Sequence, residues 1–361
     1  MTRVLITADT VGGVWTYATD LARALATRGV QPVLVTMGPR PSDQQRQTVA
    51  DIKIIETDLP LDWLANSPAE LVEAGGQLAR IADRLRADIV QLNAPALAAS
   101  AGFSQPVVAV AHSCVGTWWQ AVRGGRIAPD LSWRAELTAA GLRAADHSVA
   151  PSGAFATMLQ HCYGLASAPT VVRNGRRARP IAPQPQQDAA FTAGRLWDEG
   201  KNLWVLDKAA TLTRVPIRAA GPVVGPNASA ITLQHLVLLG NLDDAGVAAQ
   251  LAQRPLFLSS AVYEPFGLAV LEAAQAGCAL ILSDIPTFRE LWDGAARFVY
   301  PHDAAGYARA VDELVADPDL RAQLGERARE RSRDYTVDRM ADQMLAMYRS
   351  LPAVAPARAA A

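Results

Sequence analysis

Two glutamates, Glu264 and Glu272, stand with seven residues between them in the stretch SSAVYEPFGLAVLEAAQAGCALILSD at 259–284. The pattern predicts a strand ending at Ser260, a short loop through Glu264, Pro265 and Phe266, and a helix beginning near Gly267. The open amides and the dipole of such a helix start favour an anion, and glycine lets a ligand approach the backbone closely. Carboxylates beside an anion would not touch it. They would accept hydrogen bonds from hydroxyl groups at either end of a ligand with a diphosphate in its middle, and a nucleotide sugar has that layout. Phe266, Gly267 and Leu268 then become donor-binding candidates together with the two glutamates. The plainer reading makes Glu264 a helix cap and Glu272 a solvated helix residue. The apolar surroundings of Glu272 weigh against it, because an unpaired carboxylate facing a packed sheet is costly. If helical geometry covers the interval, the carboxylates lie about 12 Å apart. That is too far for the nucleophile and acid of a retaining glycoside hydrolase.

The hydrophobic pattern indicates what must position these residues. Short β-branched runs alternate with amphipathic stretches: RVLITA at 3–8, a helix over 14–28 closed by Gly29, then QPVLVTM at 31–37. Strands follow at 88–93, 106–111 and 147–151, with a helix over 131–145 before the last. The pattern breaks at 176–188, where RRARPIAPQPQQD holds three prolines and little apolar periodicity. It resumes with strands at AFTAGR, PIRAAG, HLVLLG, LFLSS and ALILSD. Alternation of this kind predicts parallel sheets covered by helices on both faces. The expected fold is therefore α/β, with Rossmann-like domains at 1–178 and 189–334 and a linker at 179–188. After RFVYP only helices follow; the last, about 337–350, is expected to pack back on the first domain, and the tail beyond it reads as disordered.

Other residues stand where ligands bind. His112 ends a predicted strand, and open α/β sheets place ligands at strand ends; a structural hydrogen bond at a strand end accounts for it equally well. Gly12 and Gly13 follow the first strand, but TVGGVW lacks the G-x-G-x-x-G spacing, which disfavours a nicotinamide enzyme. Trp118 and Trp119 fall in a predicted loop with Arg123 and Arg126. Aromatic faces stack on sugars and arginine suits anions, so Trp118, Trp119 and Arg123 are the acceptor-side candidates, with core packing of the aromatics as the alternative.

Composition excludes several classes. The formal net charge is −1 with no long basic run, which gives nucleic acid no electrostatic footprint. Cys114, Cys162 and Cys278 are odd in number and lack metal-ligand spacing, which fits reduced thiols in a cytoplasmic protein. The N-terminus opens on a strand and does not read as a signal peptide. No apolar stretch approaches the roughly 20 residues of a membrane span, although peripheral membrane contact stays open. Asp317 and Asp319 spell D-x-D, but between helices, where they read as a turn. No metal and no cofactor is expected.

The chain also resembles a family. EPFGL with Glu264 and Glu272, a small-residue helix, Gly277 and ALILSDIPTFREL are similar to the E-x7-E region of retaining glycosyltransferases with the GT-B fold. The group is the one that contains glycogen and sucrose synthases. The glycine pair, AHS at 111–113, APSGAFATMLQHCYG, TVVRNGR and TAGRLWDEGKN carry the resemblance in the same order along nearly the whole chain. Two departures stand out: Ser259-Ser260 replaces Pro-Ser, and Gly200-Lys201-Asn202 shifts the usual lysine by about a residue. The resemblance implies two Rossmann-like domains facing each other across a cleft, and retaining transfer from a nucleotide sugar. A UDP-sugar is the expected donor, and the acceptor is a hydroxyl of a glycan, a lipid-linked glycan or a small molecule. It implies Glu264 on the donor sugar, Glu272 on the ribose, Arg195 and Lys201 on the diphosphate, His112 near the anomeric centre, and Gly12 and Gly13 in the glycine loop. Cations preorganised there stabilise the charge that grows on a leaving diphosphate. Two rivals are a nucleotide-sugar 2-epimerase of the same fold and a catalytically silent binding partner. Neither oligomeric state nor acceptor identity is legible.

Overall fold

The computed structural model describes residues 1–178 and 184–351; the readings of 179–183 as linker and of the tail beyond 351 as disordered fall outside these residues. The chain divides into two compact units. One comprises Met1–Gln120, Gly125–Gly175 and the chain from Val337, and the other Ala121–Gly124 and Arg176–Thr336. Each is built on a parallel sheet.

The first sheet holds β1 (Arg3–Asp9), β2 (Gln31–Met37), β3 (Lys53–Ile55), β4 (Ile89–Leu92), β5 (Val107–Val110), β6 (His147–Ala150) and β7 (Thr170–Val171) in the order β3-β2-β1-β4-β5-β6-β7. Its strands read as continuous apolar runs because helices cover both faces. In β1, Val4, Ile6 and Ala8 face one core, shared with Leu21 and Leu25 of the helix Gly13–Ala26. Leu5 faces the other, with Leu71 and Leu78 of the helix Pro68–Leu85. The last helix, Val337–Ser350, buries Met340, Met344 and Tyr348 in the first of these cores. Arg28 fastens it from outside through Asp338 at 2.9 Å and Asp342 at 2.6 Å.

The second sheet holds β8 (Ala190–Ala193), β9 (Ile217–Ala220), β10 (Val237–Leu238), β11 (Leu256–Ser259), β12 (Leu280–Ser283) and β13 (Ala296–Val299) in the order β10-β9-β8-β11-β12-β13. Leu256 and Leu258 face one core and Phe257 the other, the same two-faced alternation. In both sheets the chain reverses its direction of travel beside the first strand. β1 lies between β2 and β4, and β8 between β9 and β11. Ligands of open α/β sheets bind outside the carboxyl ends of strands at such switch points.

Some local readings differ from the structure. The edge strands β3 and β7 and the helix Asp43–Thr48 are too short for periodicity to register. HLVLLG contributes only the two exposed residues of β10 to the sheet edge. Trp118 and Trp119 lie in a helix, Val115–Val122, and not in a loop.

Candidate functional site

In the second unit the loop after β11 is built against the loop after β8. Asp198 accepts from the Gly200 amide at 2.9 Å and opens a 3-10 turn, Glu199–Lys201. Asn202 ends that turn in the left-handed region, φ 56°, and donates to the carbonyls of Ser260 at 3.1 Å and Pro301 at 2.8 Å. Ser260 Oγ in return donates to the carbonyls of Lys201 and Asn202 at 3.1 and 3.0 Å. The amides of Val262 and Tyr263 both donate to the Gly200 carbonyl. With the two loops laced together, Lys201 Nζ donates to Glu264 Oε2. Of the Ser259-Ser260 pair, the second serine, which the family-like Pro-Ser pattern also has, is the one that ties the two loops.

Past Glu264 the chain turns through Gly267, which caps the helix Leu268–Gln275 with φ 94° and no side-chain hydrogen bond to the first turn. Only glycine tolerates that backbone easily, and an added Cβ would also meet Phe288 at 3.2 Å. The helix therefore starts later than a helical interval between the glutamates requires, so the 12 Å estimate does not apply. The ring of Phe266 is buried against Tyr335, 5.7 Å between centroids, so its side chain belongs to the core and only its backbone can meet a ligand. The amides opening the helix at Leu268 carry no side-chain cap, which is the condition for an anion site.

Glu272, further along the same helix, meets Arg176. The guanidinium Nε donates to Glu272 Oε1 at 2.6 Å, and Nη2 lies 3.4 Å from Asp244 Oδ2. Arg176 is 9% exposed, and its carbonyl accepts from Gln275 Nε2 at 2.9 Å. These side chains, with Arg177 and Leu251, line a pocket beside Glu272. Sequence reasoning placed Arg176 in the pattern break and missed it. The available signal was its position directly after Asn174-Gly175, where the family-like TVVRNGR run ends. Arg195, following β8, pairs with Asp198 at 3.0 Å and lies over the Trp197 ring, 5.6 Å from its centroid. Lys201 and Glu264 are thus brought together, while Arg195 and Glu272 are held by other partners.

In the first unit Gly12 caps the helix Gly13–Ala26 with φ 92°, directly after β1. Tyr17 of that helix meets the ring of His112 edge to face, 4.3 Å between centroids. His112 Nε2 lies 3.2 Å from Asn93 Oδ1. Asn93, missed in the sequence reading, follows β4 and donates through Nδ2 to the Thr7 carbonyl at 2.5 Å. Trp118 and Trp119 are half-buried in their helix, and the Trp119 indole N–H is buried without a hydrogen-bond partner. Arg123, just past the end of that helix, pairs with Glu199 at 2.6 Å. Asp317 accepts from the Leu320 amide and caps the helix Pro318–Ser332. Among the described residues no group of three or more His, Cys, Asp or Glu side chains could hold a metal ion, and no helix is long and apolar enough to cross a membrane.

Burial lowers the pKa of His112 from 6.5 to about 3. The unfolded chain therefore binds a proton that the folded chain refuses between those values, and stability is lost as pH falls from 6.5 toward 3. Asp62, whose carboxyl burial pushes up to about 6, works in the opposite direction over an overlapping range. The readout is accordingly a difference. In urea denaturation between pH 7 and pH 4, wild type is expected to lose about 3 kcal/mol more than His112→Gln. Parallel curves would show that the ring is not buried neutral.

Parallel sheets with loops at their switch points, and paired cations and carboxylates around an open helix start, define a GT-B type of chain. The comparisons with known proteins agree. The model for Glycosyltransferase Family 4 matches residues 11–177 and that for Glycosyl transferases group 1 matches 228–331; the chain belongs to the group 1 glycosyltransferases of the GT-B fold. A glycogen synthase of Mycobacterium tuberculosis is 26% identical over 89% of this chain and 86% of its own. A phosphatidyl-myo-inositol mannosyltransferase of Mycolicibacterium smegmatis is 35% identical over 32% of this chain, and the match spans only 31% of that protein. Sucrose-phosphate synthase from Thermosynechococcus elongatus superposes with a TM-score of 0.79 at 18% identity, covering 97% of this chain and 98% of that one. Anabaena HepE in complex with UDP-glucose does so at 0.78 and 17% identity, covering 97% and 100%.

Proposed function

We propose that this protein transfers a sugar, with retention of anomeric configuration, from a UDP-sugar to a hydroxyl of a glycan, a lipid-linked glycan or a small molecule, without a metal ion. The observation that carries the reading is the pairing of Lys201 with Glu264 beside the uncapped start of Leu268–Gln275, with Arg176 on Glu272 along the same helix. In this reading the first-turn amides and Lys201 take the diphosphate, with Arg195 as a second cation. Glu264 accepts from the donor-sugar hydroxyls and Glu272 from the ribose, which puts the nucleoside in the pocket at Arg176 and Asp244. The solved relative that binds UDP-glucose supports the choice of base. Lys201 neutralises charge as the sugar–phosphate bond breaks, a stabilisation stronger in the transition state than in the ground state. The leaving phosphate oxygen takes the acceptor's proton, with departure and attack on one face. Trp118, Trp119 and Arg123 remain the acceptor-side candidates.

The test is nucleotide release from a panel of UDP-, GDP- and ADP-sugars, with and without an acceptor extract, in EDTA. Release of UDP that depends on acceptor, with C1 configuration retained in the product NMR spectrum, is expected. Inversion at C1 overturns the mechanism. Turnover without acceptor would favour an epimerase, and no turnover of any donor a silent partner.

A further inference from the structure

The environment of His112 fixes more than its charge. Asn93 Nδ2 faces the carbonyl of Thr7 at 2.5 Å, an atom that can only accept. That contact determines which way the amide points, so Asn93 Oδ1 must be the oxygen facing His112 Nε2 at 3.2 Å and Gln91 Nε2 at 3.1 Å. Gln91 is oriented in turn, because its Nε2 must donate to that oxygen, which leaves its Oε1 to accept from the hydroxyl of Tyr348 on the last helix. Thr7, Gln91, Asn93 and Tyr348 are all buried, and the backbone N–H of Asn93 also donates to Thr7 Oγ1 at 2.8 Å. A buried chain of this kind, closed at both ends, has one low-energy arrangement, since any flipped amide would set oxygen against oxygen.

We infer that Asn93 is a positioning residue that holds His112 in its Nε2–H tautomer, through an orientation set by the Thr7 carbonyl and reinforced by Gln91 and Tyr348. An oxygen facing Nε2 requires a proton there, so the neutral ring keeps its lone pair on Nδ1. The helix Val337–Ser350, far from His112 in sequence, thereby contributes to the state of a residue at the end of β5. The part that His112 plays in turnover rests on the donor-site reading above; the tautomer itself does not.

The experiment is long-range proton–nitrogen NMR on protein labelled with nitrogen-15 histidine. Wild type is expected to show Nε2 protonated and Nδ1 bare near neutral pH. Asn93→Leu, which removes the acceptor, is expected to show mixed tautomers, and Asn93→Asp, which keeps an acceptor oxygen, to restore Nε2–H. With a donor that the wild type turns over, Asn93→Leu is expected to lose about tenfold in kcat with little change in donor KM. A wild-type spectrum with Nδ1 protonated, or an unchanged tautomer in Asn93→Leu, overturns the inference, and the wild-type spectrum decides even if the leucine variant does not fold. An Nε2–H ring in a protein that turns over no donor leaves the inference standing and refutes the functional reading instead.

Discussion

Lys201→Met is expected to lower turnover by about a hundredfold to a thousandfold, the scale of losing one preorganised charge contact in a transition state. The fall should be larger in kcat than in donor binding, because the cation gains most as charge grows on the departing diphosphate. Methionine keeps the length of the side chain and removes its charge. Lys201 and Glu264 are 22% and 15% exposed, so the variant also leaves a largely buried carboxylate without its partner, at a cost in stability. The control is Lys201→Met combined with Glu264→Gln, compared by thermal unfolding. If Lys201→Met is slow at temperatures where it is fully folded, the loss is chemical, and a double variant that regains stability shows that the unpaired carboxylate carried the destabilisation. Turnover unchanged in Lys201→Met would remove the lysine from the leaving-group site.

Glu272→Gln is expected to weaken UDP binding by about tenfold to a hundredfold, the value of a hydrogen bond to a charged group. At saturating donor kcat should hardly change, because the ribose is equally bound in ground and transition states. The same variant removes the 2.6 Å charge contact of the buried Arg176 guanidinium, and is expected to lose about 2–4 kcal/mol of stability. Titration calorimetry with UDP on folded protein separates the two effects. Arg176→Met should reproduce the stability loss and part of the binding loss, since the arginine orients the glutamate. UDP affinity unchanged in Glu272→Gln would move the nucleoside out of the Arg176 pocket.

How much of this could be read from the chain depends on the range of the interaction. The strands β1, β2 and β11 are legible because burial on both faces demands continuous apolar runs, and the helix after Gly267 because its small apolar residues pack on a sheet. The two-residue β7 and the exposed β10 leave no such trace: their place is decided by a neighbouring strand. Trp118 and Trp119 follow a histidine and precede glycines, which locally suggests a loop, yet the stretch packs as a helix.

The open, anion-favouring helix start at Gly267, the carboxylates placed on either side of it, and the α/β alternation that carries them were determined by the sequence alone. Each depends on residues within a turn or a strand of one another. Only the tertiary structure decided that Lys201 meets Glu264 across 63 positions, that Arg176 meets Glu272 across 96, and that Tyr348 reaches Gln91 across 257. Those partners are set by which strands lie side by side in a parallel sheet, where neighbours in space are separated by whole crossovers in the chain. A charged or polar side chain buried at such a place needs a partner, but local sequence does not name it.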